Sequence, residues 1–239
     1  MEEVLPKDEK LSPKCEPKNF FIYGKTMSGK SYFSSFFPHP LVLNTDGNSA
    51  QGTAPSRQIR NIRDADGKLK QSAIKQLDKI IIALQQPGVT FKTIIIDVID
   101  DICVMIEQAI CLENNAQALG DIPYGKGYST FYSILQQFVI DLKALPMNVI
   151  FISRELETTE EGSNVPAFKP SLKDKYYNIV NGNCDLVIRT KKYGANTYVR
   201  TLEDWRMVYK AENVTDKRVL KLLCSVRGMF PELKKQNNK

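Results

Sequence analysis

The sequence predicts one α/β domain, and three observations carry that prediction. A chain of 239 residues suits a single domain and would crowd two. Short apolar runs alternate with stretches of helical spacing up to Ile152, the order of strand and helix from which parallel sheets are built. Thr93–Ile96 is β-branched throughout and closes on Asp97, as a strand buried on both faces should. With 42% hydrophobic and 25% charged residues and a mean hydropathy of -0.30, the disordered, collagen-like and low-complexity classes do not fit.

Residues 1–18 mix charge and proline without periodicity and are expected to be a flexible arm, ahead of a domain at 19–233 and a basic tail at 234–239. Phe20–Tyr23 reads as a strand ending at Gly24, and Lys30–Phe37 as a helix stopped by Pro38. Leu41–Leu43 is a second strand, running out into Asn44, Thr45, Asp46 and Gly47. Ile74, Leu77, Ile81 and Leu84 recur at helical spacing until Pro87-Gly88. Beyond Asp97, Ile102–Leu112 predicts a helix with Asp100 and Asp101 as its capping residues. Tyr128, Phe131, Leu135, Phe138, Leu142 and Leu145 predict another, ended by Pro146. Val149–Ile152 is a further strand, and the polar stretch Arg154–Lys173 after it is longer than an ordinary connection, which marks a functional or a mobile loop. Asp185–Ile188, Thr197–Val199 and Val219–Val226 predict strands and a β-rich C-terminal end.

Several chemistries are excluded or weakened. The one histidine, His39, sits between Pro38 and Pro40, which rules out His-His metal clusters and leaves a Ser-His-Asp arrangement little to work with. Cys15, Cys103, Cys111, Cys184 and Cys224 are odd in number and have no C-x-x-C spacing, so neither a zinc site nor a disulfide framework is implied. No apolar run approaches the ~20 residues of a membrane span, and the N-terminus lacks a signal-peptide core; no membrane partner and a cytoplasmic location are expected. The net charge of +6 is unevenly spread: residues 170–239 carry 15 Lys/Arg against 7 Asp/Glu, a balance of +8. Either a polyanion meets that third of the chain or the excess is simply a solvated basic surface.

The sharpest signal is Gly24-Lys25-Thr26-Met27-Ser28-Gly29-Lys30-Ser31, which matches G-x-x-x-x-G-K-[ST], the phosphate-binding loop. A chance match in such a chain is on the order of one per cent. Glycines let backbone N–H groups turn inward around phosphates, a helix begins where the loop ends, Lys30 adds a point charge, and the Ser31 hydroxyl can hold Mg²⁺. Tyr32 follows directly and joins the nucleotide-contacting residues. Asp97, ending an apolar strand after the loop, is placed to hold Mg²⁺ through a water. Asp46 ends the second strand and is either the carboxylate that polarises an attacking water or a turn residue before Gly47. ATP and Mg²⁺ are therefore the expected cofactors.

In this order the parts resemble the RecA-like core ATPases, and most closely the small, core-only phage AAA-domain ATPases associated with single-strand annealing and recombination. The resemblance spans about residues 18–233 and rests on FFIYGKTMSGKS at 20–31, LVLNTDGN at 41–48, TIIIDVIDD at 93–101, PYGKGY at 123–128, NVIFISRE at 148–155, CDLVIRT at 184–190 and SVRGMFP at 225–231. It implies a RecA-like P-loop NTPase fold, a mainly parallel sheet flanked by helices. It implies a water-activating role at Asp46 and a γ-phosphate-sensing role at Arg154, where RecA itself has Gln. It also implies a basic residue, Arg227, that crosses a subunit interface to a neighbour's γ-phosphate, with Ser225 where a lysine is usual.

Two DNA-contacting loops would fall at about Asn114–Tyr128 and Arg154–Lys173. Tyr124, Lys126 and Tyr128 in the first are spaced for a stacked base beside a phosphate, or simply lead into the next helix. In the second, Glu155, Glu157, Glu160 and Glu161 would repel a phosphate backbone, so any DNA contact must come from Lys169, Lys173 and Lys175 or from another surface. The function so implied is an Mg-dependent ATPase acting on single-stranded DNA in phage recombination, annealing or replication, in the host cytoplasm. Its partners would be further copies of the chain in a ring or filament and a single-strand-binding protein. The alternatives are a nucleoside or nucleotide kinase with the long loop as a lid, and a non-catalytic nucleotide-binding accessory to recombination proteins.

Overall fold

Strand burial follows the run chemistry. In the computed structural model β1 (Asn19–Gly24) is buried along its whole length, and α1 (Lys30–Ser35) starts where the glycine-rich loop ends. β2 (Pro40–Asn44), the short β3 (Ser56–Gln58), β4 (Ile62–Arg63) and β5 (Leu69–Gln71) lead into α2 (Ala73–Leu84), whose N-cap Ser72 accepts from the Lys75 amide. β6 (Thr93–Asp97), α3 (Ile99–Glu113), α4 (Lys126–Ala144) and β7 (Asn148–Thr159) follow. The chain ends with β8 (Pro166–Pro170), α5 (Asp174–Asn181), β9 (Leu186–Tyr193), β10 (Thr197–Trp205), α6 (Lys217–Cys224) and β11 (Val226–Arg227). Described are residues 7–9, 19–48, 52–159, 166–207 and 209–231. Most of the expected arm, Cys15, Glu160, Glu161 and the expected tail at 234–239 lie outside them.

Nine strands form one sheet in the order β11-β10-β9-β1-β7-β6-β2-β3, with β8 paired to β7 off that path. β1 runs parallel to β7 and β9, β6 parallel to β7 and β2, and β2 parallel to β3. Antiparallel pairing is confined to β9–β10 and β7–β8 within this sheet, so the sheet is mainly parallel as expected. Side chains alternate between two cores. Phe21, Ile94, Ile96, Val149 and Phe151 face α2, α3, α4 and α5 on one side, while Phe20, Ile22, Ile95, Ile150 and Ile152 face Phe33 of α1 and Val219 and Leu223 of α6 on the other. That two-sided burial is why these strands read as unbroken apolar runs.

Three expectations are corrected. Val219–Val226 is not a strand: α6 takes up most of it, because Asp216 caps the Arg218 and Val219 amides and buries Val219 and Leu223 one turn apart. Only Val226 and Arg227 pair, with β10. Arg154–Lys173 is not an open loop: β7 continues to Thr159 and β8 returns, with Glu155 opposite Pro170 and Thr159 opposite Pro166. The pairing satisfies backbone groups that a polar loop would leave to water. Asp100 and Asp101 are not caps either; Val98 holds the N-cap position of α3, and both carboxylates bond across to neighbouring elements.

Candidate nucleotide-binding site

The Gly24–Ser31 loop stands at the C-terminal end of β1, between β7 and β9. A Cβ on Gly24 would come within 2.3 Å of the Thr190 carbonyl oxygen, so only glycine allows β9 this close. Gly29 has φ of 86°, the left-handed region, and serves as N-cap of α1. Ser28 and Thr190 share a 2.6 Å hydroxyl hydrogen bond that pins the loop to β9. Lys25, Thr26 and Met27 are exposed at the mouth. Lys30 is buried and donates to the carbonyls of Gly24 at 2.7 Å and Lys25 at 2.9 Å. Burial pulls its pKa below the ordinary lysine value, against the fields of Asp97 and Asp100.

Across two strands, Asp97 closes β6. Burial raises its carboxyl above the usual range, and the Asp46 charge adds to that, while a hydrogen bond from Ser31 and the Lys30 ammonium oppose it. Ser31 and Asp97 thus stand near each other as two hard oxygen donors. Asp46 lies just past β2 and is exposed; its carboxylate accepts from the Asn48 amide at 2.9 Å and from Asn48 Nδ2 at 2.6 Å, so it forms a turn while its field reaches the site. Arg154, register partner of Gly24, makes a two-pronged contact with Asp101 at 2.6 and 2.8 Å. That contact holds the Asp101 carboxyl below the usual range. Thr45 also donates to Asp101, at 2.8 Å. Asp100 accepts from Ser153 at 3.1 Å and from the Ser171 hydroxyl, tying α3 to both ends of the hairpin.

The hairpin itself is fastened to the phosphate loop. Lys25 Nζ donates to Glu157 at 2.9 Å, and Arg189 donates to Glu155 at 2.7 Å with both side chains almost fully buried. Phe168 of β8 lies under the Arg189 guanidinium at 4.1 Å and near Lys25 at 5.4 Å. The Glu155 charge is therefore neutralised inside the fold by Arg189, while Glu157 pairs with Lys25 at the exposed surface.

Of the DNA candidates, Tyr128 and Lys173 come together in one cleft of about 410 Å³, with Arg63, Glu107 and Gln117 on its walls. Lys173 donates to Glu107 at 3.1 Å. Tyr124 is 94% exposed, with Lys126 Nζ 6.0 Å from its ring centre. Lys169 lies apart, on β8, paired with Asp174 at 3.5 Å. Arg227 is exposed on the edge strand β11, with β10 and β9 between it and β1. Sequence reasoning missed Tyr198 and Arg200 of β10. The Tyr198 ring lies against Gly29, and the Arg200 guanidinium lies 4.5 Å over the Phe33 ring. The pattern Tyr198-x-Arg200 on one face of a strand was the available signal.

A mainly parallel sheet, a glycine-rich loop leading from its strand into a helix, and a carboxylate two strands away define a P-loop nucleotide-binding protein. The chain belongs to the AAA domain family, whose model matches residues 16–222. No curated protein matches it significantly. Similar solved structures include a KaiC-like protein, PH0186, from the hyperthermophilic archaeon Pyrococcus horikoshii OT3, 11% identical over 80% of each chain with a TM-score of 0.42. Another is the RadB recombinase, 13% identical over 80% of this chain and 83% of that one, with a TM-score of 0.43. Among the described residues no helix is long and apolar enough to cross a membrane.

Proposed function

We propose that the chain is a magnesium-dependent ATPase of the RecA-like type that acts on single-stranded DNA in recombination, annealing or replication, as phage-encoded enzymes do. The observation that carries the reading is the complete phosphate loop, with the Ser31 hydroxyl near enough to the buried Asp97 carboxyl to act on it. Lys30 would leave the Gly24 and Lys25 carbonyls for phosphate oxygens, which serve an ammonium better than neutral acceptors do. Ser31 and Asp97 suit Mg²⁺, a cation that takes one or two protein oxygens and fills its shell with phosphate and water. Bound there, it would neutralise charge building on the bridging oxygen.

Asp46 then acts as the base. It turns from Asn48 to a water, whose oxygen bonds to the γ-phosphorus as the bond to the β–γ bridging oxygen breaks. The water's proton passes to the carboxylate, and the bond's electron pair leaves with ADP. Arg154, held by Asp101 beside Gly24, would sense the γ-phosphate, and Arg227 would reach the site of the neighbour in a ring or filament. For the strand, the supporting features are the Tyr128–Lys173–Arg63 cleft and the +8 balance beyond residue 170. Tyr124, Lys126 and Lys169 would add contacts, and a single-strand-binding protein would share the same strand.

Phosphate release from ATP, with and without single-stranded DNA, tests the proposal, with Lys30→Ala as the inactive control. Stimulation by DNA that Lys30→Ala abolishes supports it, as does binding that weakens with salt at a log-log slope of about −0.7 per phosphate neutralised. Phosphoryl transfer to nucleosides instead would make the chain a kinase; ATP binding with neither reaction would make it an accessory module.

A further inference from the structure

The two ends of a bound nucleotide are distinguishable from the sheet order. Ser31, Asp97 and Asp46 mark the terminal-phosphate end, on the β6–β2 side of the loop, while β9 and β10 flank the loop on the other side. A polyphosphate lying across the loop therefore directs its nucleoside toward β9–β10. That side carries aromatic and cationic groups that phosphate binding and hydrolysis leave unused. The Tyr198 ring touches Gly29: a Cβ there would stand 2.9 Å from Tyr198 Cδ1. Yet the residue is 42% exposed, so the rest of the ring is open. Lys192, its cross-strand partner, holds Nζ 5.5 Å from the ring centre. Tyr32, in the first turn of α1, is 64% exposed and set edge-on to Phe36.

Arg200 occupies the same face of β10. It stacks on Phe33 and reaches Ser225 Oγ at 3.5 Å, and among the described residues no ion pair with a carboxylate engages it. Burial lowers its pKa, with Tyr32 opposing. A partly desolvated cation without a counter-ion, set beside two open aromatic rings, matches a ligand that is flat at one end and anionic at the other.

We propose that the nucleobase stacks on the Tyr198 ring, with Tyr32 as the second wall and Arg200 facing the sugar-phosphate. This rests on the phosphate loop holding a nucleotide. It adds where the base lies and which side chains read it. A stacking platform accepts any base face, so ATP and GTP should be held alike.

Calorimetric titration of the full chain with ATP, GTP and inorganic tripolyphosphate, all with Mg²⁺, separates the two halves of the site. The unmodified chain should bind ATP and GTP at least about tenfold more tightly than tripolyphosphate. Tyr198→Ala should lose about tenfold for both nucleotides, the worth of one stacked ring, and nothing for tripolyphosphate; Tyr198→Phe should keep the affinity. Equal losses for all three ligands would mean that Tyr198 only props the loop, and the base site is then wrong. The base site is equally wrong if Tyr198→Ala changes nothing or if the unmodified chain binds tripolyphosphate as well as ATP, though in that last case the phosphate-loop assignment stands. Binding of none of the three ligands would overturn both.

Discussion

Removing the Arg189 guanidinium tests the fastening of the hairpin most directly. Glu155 keeps 2% of its side-chain surface and Arg189 9%, with 2.7 Å between Nε and Oε2. Arg189→Met preserves length and apolar contact but leaves a carboxylate buried without its cation. Breaking a buried pair from one side typically costs about 3–5 kcal/mol, and the lost stacking on Phe168 adds about 0.5–2 kcal/mol. For a domain of this size each kcal/mol moves Tm by roughly 2–4 °C, so the pair alone should account for a fall of about 6–20 °C. Urea unfolding followed by circular dichroism gives the free energy. The fluorescence of Trp205, the single tryptophan, reports from β10, where it pairs with Leu186 of β9, the strand that carries Arg189. The double variant Arg189→Met/Glu155→Leu should recover most of the loss, because no charge is left stranded. A single variant costing less than about 1 kcal/mol, or a double variant no better than the single, would refute the reasoning.

Asp46→Asn should leave ATP affinity within about twofold while phosphate release falls by at least about 10²-fold; affinity falling in parallel would make Asp46 structural. Arg227→Ala and Lys30→Ala, each inactive alone, should regain ATPase activity on mixing, since a trans arginine is worth about 10³ to 10⁵ in rate. Full turnover by Arg227→Ala in a normally assembled sample would eliminate that role. The Asp101 carboxyl lies lower in the folded chain than in the unfolded one because of Arg154, so the folded state binds fewer protons near its titration. The stabilisation it gives is complete above the unfolded value of about 3.9 and is lost as pH falls through the lower folded value. Arg154→Met should flatten that part of an acid-unfolding curve and leave the curve above about pH 5 parallel to the original.

What the sequence disclosed, it disclosed where local chemistry decides the structure. The phosphate loop needs its glycines and its lysine in fixed order, so β1, the loop and α1 could be located from eight residues. Thr93–Ile96 could be nothing but a doubly buried strand, and Asp97 came with it. α6 was misread because Val219, Leu220, Leu222 and Leu223 suit a strand run and a helical face equally; the Asp216 cap was the deciding signal. The hairpin was hidden because its partners answer to distant elements, Glu155 to Arg189 and Glu157 to Lys25, and no local period records them. Tyr198 and Gly29 lie far apart in the chain, so their contact is a product of the strand order alone.

That strand order also limits how copies of the chain can meet. At one margin β3 has three residues, all exposed and one of them Arg57, and at the other β11 has two. β8 begins at Pro166 and ends at Pro170, neither of which has an amide hydrogen to offer. A free strand with a long row of open donors and acceptors is a template for sheet-to-sheet growth, and short, charged or proline-bounded margins remove it. Among the described residues, then, β3 and β8 offer an incoming strand little to pair with, whereas β11 covers only Arg200 and Thr201 of the nine-residue β10, so that margin is where the sheet keeps open backbone groups.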